Sequence, residues 1–238
     1  MEYLLDTINL DDISRFCEYL PISGVTSNPS IVKKEGSIDF FNHMRQIRSL
    51  IGKDKTFHIQ VTAEDTEGML RDAEAILRHV DEGVYIKIPI NWNGLKAIKH
   101  LKSQGVGVTG SAIYTINQGL LALEAGADYI APYYNRMESL NIDPEDGIRS
   151  FASMIKQYGY GTRILAASFR NIAQVNKAVL AGAQTATVEP SLLSGTLAML
   201  ISKRQSAISP ETGKVCTADI RLRIFNGSVN SIHGVSTS

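Results

Sequence analysis

Apolar positions along the chain follow two periods in turn. Short β-branched or alternating runs bounded by Gly, Pro and Asn read as strands, and apolar residues three or four apart read as amphipathic helices. Strand patterns fall at 2–6, 24–27, 55–62, 83–88, 105–109, 128–133, 163–168 and 184–188. Helical patterns follow each of them, at 10–20, 37–51, 64–79, 92–104, 114–125, 144–157, 171–180 and about 190–202. In the stretch 37–51, for instance, Phe40, Phe41, Met44, Ile47 and Leu50 lie near one helical face. Asn9 or a neighbouring Asp is placed to cap the first helix, and Gly126 to end the fifth. Asn28-Pro29 reads as a turn, and a loop runs through Asn141 and Pro144.

Eight strands, each followed by a helix, specify an α/β protein with a parallel sheet. Eight such units over roughly 200 residues fit a small single-domain (β/α)8 TIM barrel, placed at residues 1–202. The competing arrangement is an open doubly wound sheet. That fold usually carries a glycine-rich phosphate loop after an early strand, and no GxGxxG or Walker pattern occurs here. From residue 203 to 238 Ser, Thr, Gly and Asn dominate, with brief strand-like alternation from Arg221 to Phe225. This segment reads as a C-terminal extension outside the barrel core.

Composition narrows the function. The 24 basic and 24 acidic residues cancel without a long block of one sign, which argues against nucleic acid or a membrane surface as the main partner. A small molecule gripped by a few local charges fits better. No apolar run approaches the ~20 residues of a membrane span. The N-terminus lacks the basic region of a signal peptide. Cys17 and Cys216 form no metal spacing or disulfide framework, and the five histidines are scattered. The expectation is a cytoplasmic protein with no metal site and no bound cofactor.

The strand at 83–88 holds the first chemical candidate. Lys87 stands inside Gly83-Val84-Tyr85-Ile86-Lys87-Ile88-Pro89-Ile90, and lysine is rarely buried without a partner. Val84, Ile86 and Ile88 face one way, and Tyr85, Lys87 and Pro89 the other. With helices over the first face, Lys87 points into the barrel. Desolvation disfavours an ammonium relative to the neutral amine, and a neutral lysine is a nucleophile that forms Schiff bases. Taken alone, the same run also fits a strand-edge lysine whose head reaches water.

The other strands weigh on that choice, because active sites of such barrels sit at the C-terminal strand ends. Those ends carry Asp6, then Thr26 and Asn28, Gln60, Lys87, Ser111, Tyr133 with Arg136 just beyond, and Ser168 with Arg170. Strand parity groups Tyr129 and Ala131 with Tyr133, and Ala166 with Ser168. So many polar groups converging at one end exceed the needs of packing. Each also has an ordinary structural use: a helix cap for Asp6, a turn former for Asn28, rim hydroxyls for Ser111 and Ser168. Gln60 also fits a structural network, Tyr133 a packed aromatic, and the two arginines surface ion pairs. His58 reads as a satisfied histidine in a lower layer of the barrel.

In this order these residues resemble the transaldolase family, and most closely its short branch of fructose-6-phosphate aldolases. The matching pieces are Leu5-Asp6-Thr7, Gly24-Val25-Thr26-Ser27-Asn28-Pro29-Ser30, Ile59-Gln60-Val61 and Ile86-Lys87-Ile88-Pro89. Gly110-Ser111-Ala112-Ile113-Tyr114, Ala131-Pro132-Tyr133-Tyr134-Asn135-Arg136 and Ala166-Ala167-Ser168-Phe169-Arg170 continue the series. The resemblance implies a class I mechanism without metal or organic cofactor, with Lys87 as the Schiff-base lysine. It implies that Asp6 and Asn28 hold the hydroxyls of a dihydroxyacetone unit, in a substrate site that includes Thr26. Arg136, Ser168 and Arg170 would grip a sugar phosphate, and Gln60, Ser111 and Tyr133 would position a proton-shuttling water. Gln60 with Tyr133 resembles the aldolase branch; transaldolases typically show Glu and Phe there. Arg170 departs mildly toward the transaldolases. Short members assemble as pentamers or decamers, so a homo-oligomer is expected, although residues 203–238 do not resemble the family's terminal helix. A transaldolase, and a barrel that binds sugar phosphates without catalysis, stand as alternatives.

Overall fold

The computed structural model describes residues 1–206, with side chains to residue 198. The first half runs β1 (Glu2–Asp6), α1 (Leu10–Tyr19), β2 (Ile22–Thr26), α2 (Pro29–Lys34), α3 (Phe40–Ile51), β3 (Thr56–Gln60), α4 (Thr66–His79), β4 (Tyr85–Pro89) and α5 (Trp92–Ser103). The second half runs β5 (Val108–Ile113), α6 (Ile116–Glu124), β6 (Tyr129–Pro132), α7 (Tyr134–Ser139), α8 (Pro144–Tyr158), β7 (Arg163–Ala166), α9 (Ile172–Leu180), β8 (Thr185–Val188) and α10 (Pro190–Ser206). The strands pair in chain order, all parallel, and β8 returns to β1, so the sheet is a closed (β/α)8 barrel with no free edge. The expected extension, 203–238, lies outside the described residues except for the last turn of α10.

Apolar side chains divide into two regions. Val25, Phe57, Ile59, Ile86, Ile88, Ile130, Ile164 and Val188 face outward against the helices. Each such side chain, fully buried, contributes about 1.5–3 kcal/mol relative to exposure. Inside the barrel, Leu4, Tyr129 and Leu165 form a second cluster against which Tyr85 packs. His58 stacks on Tyr85 at 4.9 Å between ring centroids and meets Tyr129 edge-on at 4.9 Å. These rings fill the barrel interior on the N-terminal side of Lys87. The site above therefore has a solid floor.

Several local expectations changed. β5 begins at Val108 instead of 105, because Gly105 and Val106 finish α5. Gly105, at φ 76°, donates to the Lys102 carbonyl at 3.1 Å, and Val106 donates to Leu101 at 3.1 Å, the paired closure of a Schellman motif. β2 begins earlier than expected, at Ile22. Asn28-Pro29 opens a helix and is no plain turn: the Asn28 side chain accepts the Ile31 N–H at 3.0 Å, with Pro at the first helical position. α7 occupies part of the expected loop before Pro144. On β7 the inward residue is Leu165, while Ala166 packs toward the helices. Ala166 and Ser168 are thus not on one inner face. Arg163 fixes that register from below, pairing with Glu2 at 2.9 Å, and Ser168, at φ 62°, resets the alternation.

Candidate active site

Lys87 is 3% exposed. β4 is clamped in the barrel wall: Gln60 pairs with Lys87 on one side, and Lys87 with Thr109 on the other. The amine donates to the Ser27 carbonyl at 2.9 Å. That carbonyl belongs to the residue just past β2, itself held by Ser27 N–H donating to the His58 carbonyl at 2.9 Å. A neutral acceptor thus orients the nitrogen, and among the described residues no carboxylate pairs with it within ion-pair distance.

Asp6 ends β1 and is half-buried. Burial raises its carboxyl above the ordinary value, and the charge of Lys87 and a hydrogen bond from Thr26 oppose that rise. Thr26 donates its hydroxyl to Asp6 Oδ1 at 2.7 Å and lies 2.6 Å from Thr187 Oγ1. A hydroxyl has one proton, so Thr26, having given its own to Asp6, accepts from Thr187. Thr187, Thr26 and Asp6 therefore form one directed chain. Thr187 was missed in the sequence; its signal is the alternation Thr185-Ala186-Thr187, which sets both threonines on the inner face.

Gln60 stands beside Lys87, with Oε1 buried and without a partner among the described residues. Ser111 Oγ lies 3.1 Å from the Tyr133 hydroxyl. Ser111 is buried, and Pro89 pairs with it across the β4–β5 edge. Ala112, at φ 54°, breaks the strand alternation just after Ser111, where the β5–β6 register shifts. Tyr133 precedes α7, and its ring meets Tyr114 edge-on at 5.8 Å. His58 differs from the expectation of full satisfaction: Nδ1 bonds Thr109 Oγ1 at 2.8 Å, while Nε2 finds no partner among the described residues. Burial first, then the Lys87 and Arg48 charges, holds this imidazole well below its ordinary value, so it is neutral.

Arg136, in α7, and Arg170, just past β7, are exposed. Two backbone hydrogen bonds join their loops: Tyr134 N–H to the Ala167 carbonyl at 2.9 Å, and Asn135 N–H to the Ser168 carbonyl at 3.0 Å. Neither guanidinium forms an ion pair within the described residues. Two cations beside the left-handed Ser168 can hold a dianion bidentately. In a closed eight-strand barrel β6 and β7 lie across from β2 and β3. The arginines therefore stand opposite Asn28 and Gln60, with Lys87 on the wall between. With its oxygen spent on the α2 cap, Asn28 keeps its amide N–H groups for a ligand. A cavity of about 430 Å3 opens beside Ser27, Asn28 and Gln60. A larger one, about 880 Å3, is lined by Lys53, Arg71, Arg78 and His100 and touches none of the expected site residues. No three His, Cys, Asp or Glu side chains among the described residues are grouped to hold a metal ion, and no described helix is long and apolar enough to cross a membrane.

A family model described as transaldolase/fructose-6-phosphate aldolase matches residues 3–224. The chain belongs to that family. Within the transaldolase/fructose-6-phosphate aldolase family, a Streptococcus pneumoniae protein named "Probable fructose-6-phosphate aldolase" is 51% identical over 199 residues, 84% of this chain and 90% of that protein. An Agathobacter rectalis protein named "Probable transaldolase" is 36% identical over 188 residues, 79% of this chain and 86% of that protein. Most of the chain is thus similar to both branches of the family, more so to the aldolase relative.

Proposed function

We propose that this protein is a class I aldolase that reversibly cleaves fructose 6-phosphate to dihydroxyacetone and glyceraldehyde 3-phosphate. The observation that carries the reading is the buried Lys87 amine, oriented by the Ser27 carbonyl, with the Asp6 carboxyl and its threonine chain at the same barrel end. The Lys87 amine adds to the C2 ketone, the carbinolamine hydroxyl leaves as water after taking up a proton from solvent, and the product is an iminium. As the C3–C4 bond breaks, its electrons flow into the iminium and form an enamine. Asp6 takes the proton of the C4 hydroxyl as that carbon becomes the aldehyde. Arg136, Ser168 and Arg170 hold the phosphate of the departing fragment. Asn28, through its free amide, holds a hydroxyl of the dihydroxyacetone unit. A water held by Gln60 and the Ser111–Tyr133 pair returns a proton to the enamine carbon, and hydrolysis frees dihydroxyacetone. The iminium is the electron sink, so the scheme needs no metal or organic cofactor. By resemblance the enzyme works as a cytoplasmic homo-oligomer.

Borohydride added with dihydroxyacetone is expected to reduce the imine and leave a covalent adduct on Lys87, found by peptide mass. Lys87→Ala and Lys87→Met are expected to lose it. An adduct on another lysine, or none, sinks the reading; calorimetric binding of sugar phosphate without an adduct supports a binding barrel instead. A second reading, transfer of the dihydroxyacetone unit between sugar phosphates, has the Agathobacter relative and Arg170 in its favour. Fructose 6-phosphate alone decides between them: free dihydroxyacetone marks the aldolase, and turnover only with added erythrose 4-phosphate marks the transaldolase.

A further inference from the structure

Gln174 lies at the third position of α9 and is 7% exposed. No substrate group is assigned to it, yet its side-chain amide spends both donors and its oxygen on the two arginine-bearing loops. Its Oε1 accepts the backbone N–H of Arg170 at 2.7 Å. Its Nε2 donates to Asn135 Oδ1 at 3.3 Å and to Glu138 Oε2 at 2.5 Å. Asn135 and Glu138 flank Arg136 on α7, so one amide joins residues 36 and 39 positions away to the loop carrying Arg170. The Asn171 cap holds Gln174 in place by accepting its backbone N–H at 3.0 Å.

α7 has good reason to need such a tie. It has six residues and no side-chain cap at its N-terminus, and a helix that short is not stable by itself. The second role is electrostatic. Glu138 is an exposed carboxylate two residues from Arg136, and it forms no ion pair with either arginine. The Gln174 amide donates a hydrogen bond to it. A carboxylate that is satisfied there has less to gain from pairing with a guanidinium, which stays available to an incoming anion.

We propose that Gln174 is a positioning residue for phosphate recognition, a clasp that fixes Arg170 against Arg136 and keeps Glu138 from neutralising either. This rests on the assignment of the two arginines to the sugar phosphate. The selective consequence is that losing the clasp weakens phosphorylated aldehydes and spares their unphosphorylated analogues, because Lys87 and Asp6 are held by other strands.

The test uses the full chain, dihydroxyacetone as donor, and glyceraldehyde 3-phosphate or glyceraldehyde as acceptor. Gln174→Leu is expected to raise KM for glyceraldehyde 3-phosphate about tenfold, the worth of a hydrogen bond to a charged group. Its kcat and its constants for glyceraldehyde are expected to stay within about twofold of wild type. Gln174→Glu keeps the volume and sets a carboxylate against Glu138, so a larger rise in the same KM is expected. Adding Glu138→Gln then supplies an amide at position 138 that donates to the introduced carboxylate, and affinity for the phosphorylated acceptor is expected to recover. Should Gln174→Leu fail to fold, the Gln174→Glu variant and its rescue carry the test by themselves. Equal losses for both acceptors, or no recovery in the double variant, overturn the clasp. Absence of a borohydride adduct in the wild-type enzyme sinks the aldolase reading instead. An intact adduct with an unshifted KM ratio sinks only the role of Gln174.

Discussion

At the scale of single residues the site is organised by what each polar group already holds. Asp6 is the sharpest case. Burial raises its carboxyl above 3.8, in spite of Lys87 and Thr26, so the folded state retains the proton to higher pH than the unfolded chain. The stabilising share of that shift is complete below the ordinary value and is lost as pH rises through the folded one, which makes ionised Asp6 a cost at neutral pH. Asp6→Asn removes the cost: its melting temperature at pH 7 is expected to exceed that of wild type, and the gap to close as pH falls toward 3.8. His58 pulls the other way, since burial keeps it neutral and its contribution is lost as pH falls below 6.5, but it is common to both proteins and cancels in the difference. Cleavage by Asp6→Asn is expected to fall about 10²–10⁴-fold, the usual worth of a general base. A gap that widens on acidification contradicts the assignment. In the proposed mechanism the Tyr133 hydroxyl, 3.1 Å from Ser111 Oγ, governs the fate of the enamine. Tyr133→Phe is expected to lower release of free dihydroxyacetone from fructose 6-phosphate and to raise transfer to erythrose 4-phosphate, both measured by product chromatography. Equal loss of both reactions speaks against that role.

At the scale of elements, α5 is pressed against the strand that carries the lysine. A Cβ at Gly94 would lie 1.9 Å from the Pro89 carbonyl oxygen and 3.1 Å from Ile88 Cγ2. Alanine gains about 1 kcal/mol of helix propensity over glycine, but the obstructing atom is backbone and cannot step aside. The clash wins, and Gly94→Ala is expected to cost about 1–3 kcal/mol in urea unfolding and to slow adduct formation at Lys87 two residues before Pro89. Unchanged stability means α5 has slack that the structure does not show. The boundaries of elements were the least legible part of the sequence, and each shift has a local cause. The Gly105 closure took residues that looked like the start of β5, and Asn28-Pro29, read as a turn, serves equally well to start a helix. The β7 face came out reversed because parity was counted through Ser168, whose left-handed backbone ends the alternation.

At the scale of the whole molecule, closure of the sheet makes one site from distant pieces. Lys87 and Ser27 are 60 positions apart, and Thr26 and Thr187 are 161 apart. Thr26 and Thr187 meet because β8 pairs with β1, and Ser27 reaches Lys87 across β3, which pairs with both β2 and β4. By resemblance a pentamer or decamer is proposed. Light scattering after size exclusion is expected to give five or ten chain masses. A single chain mass, with full activity, removes assembly from the account of function.

Periodicity alone determined the eight β/α units and their order, because burial of a strand face or a helix stripe leaves its mark at every second or every third to fourth residue. From that order followed the barrel, the strand ends and the polar residues standing there. What the sequence could not supply is the partner of each group. The Ser27 carbonyl that orients Lys87, the Thr187–Thr26–Asp6 chain, the His58–Thr109 bond and the hydrogen bonds of Gln174 all depend on contacts between strands and loops far apart in the chain. Hydrogen bonds of that kind impose no period on the residues that make them. Each exists only once the elements that carry its two groups have packed together.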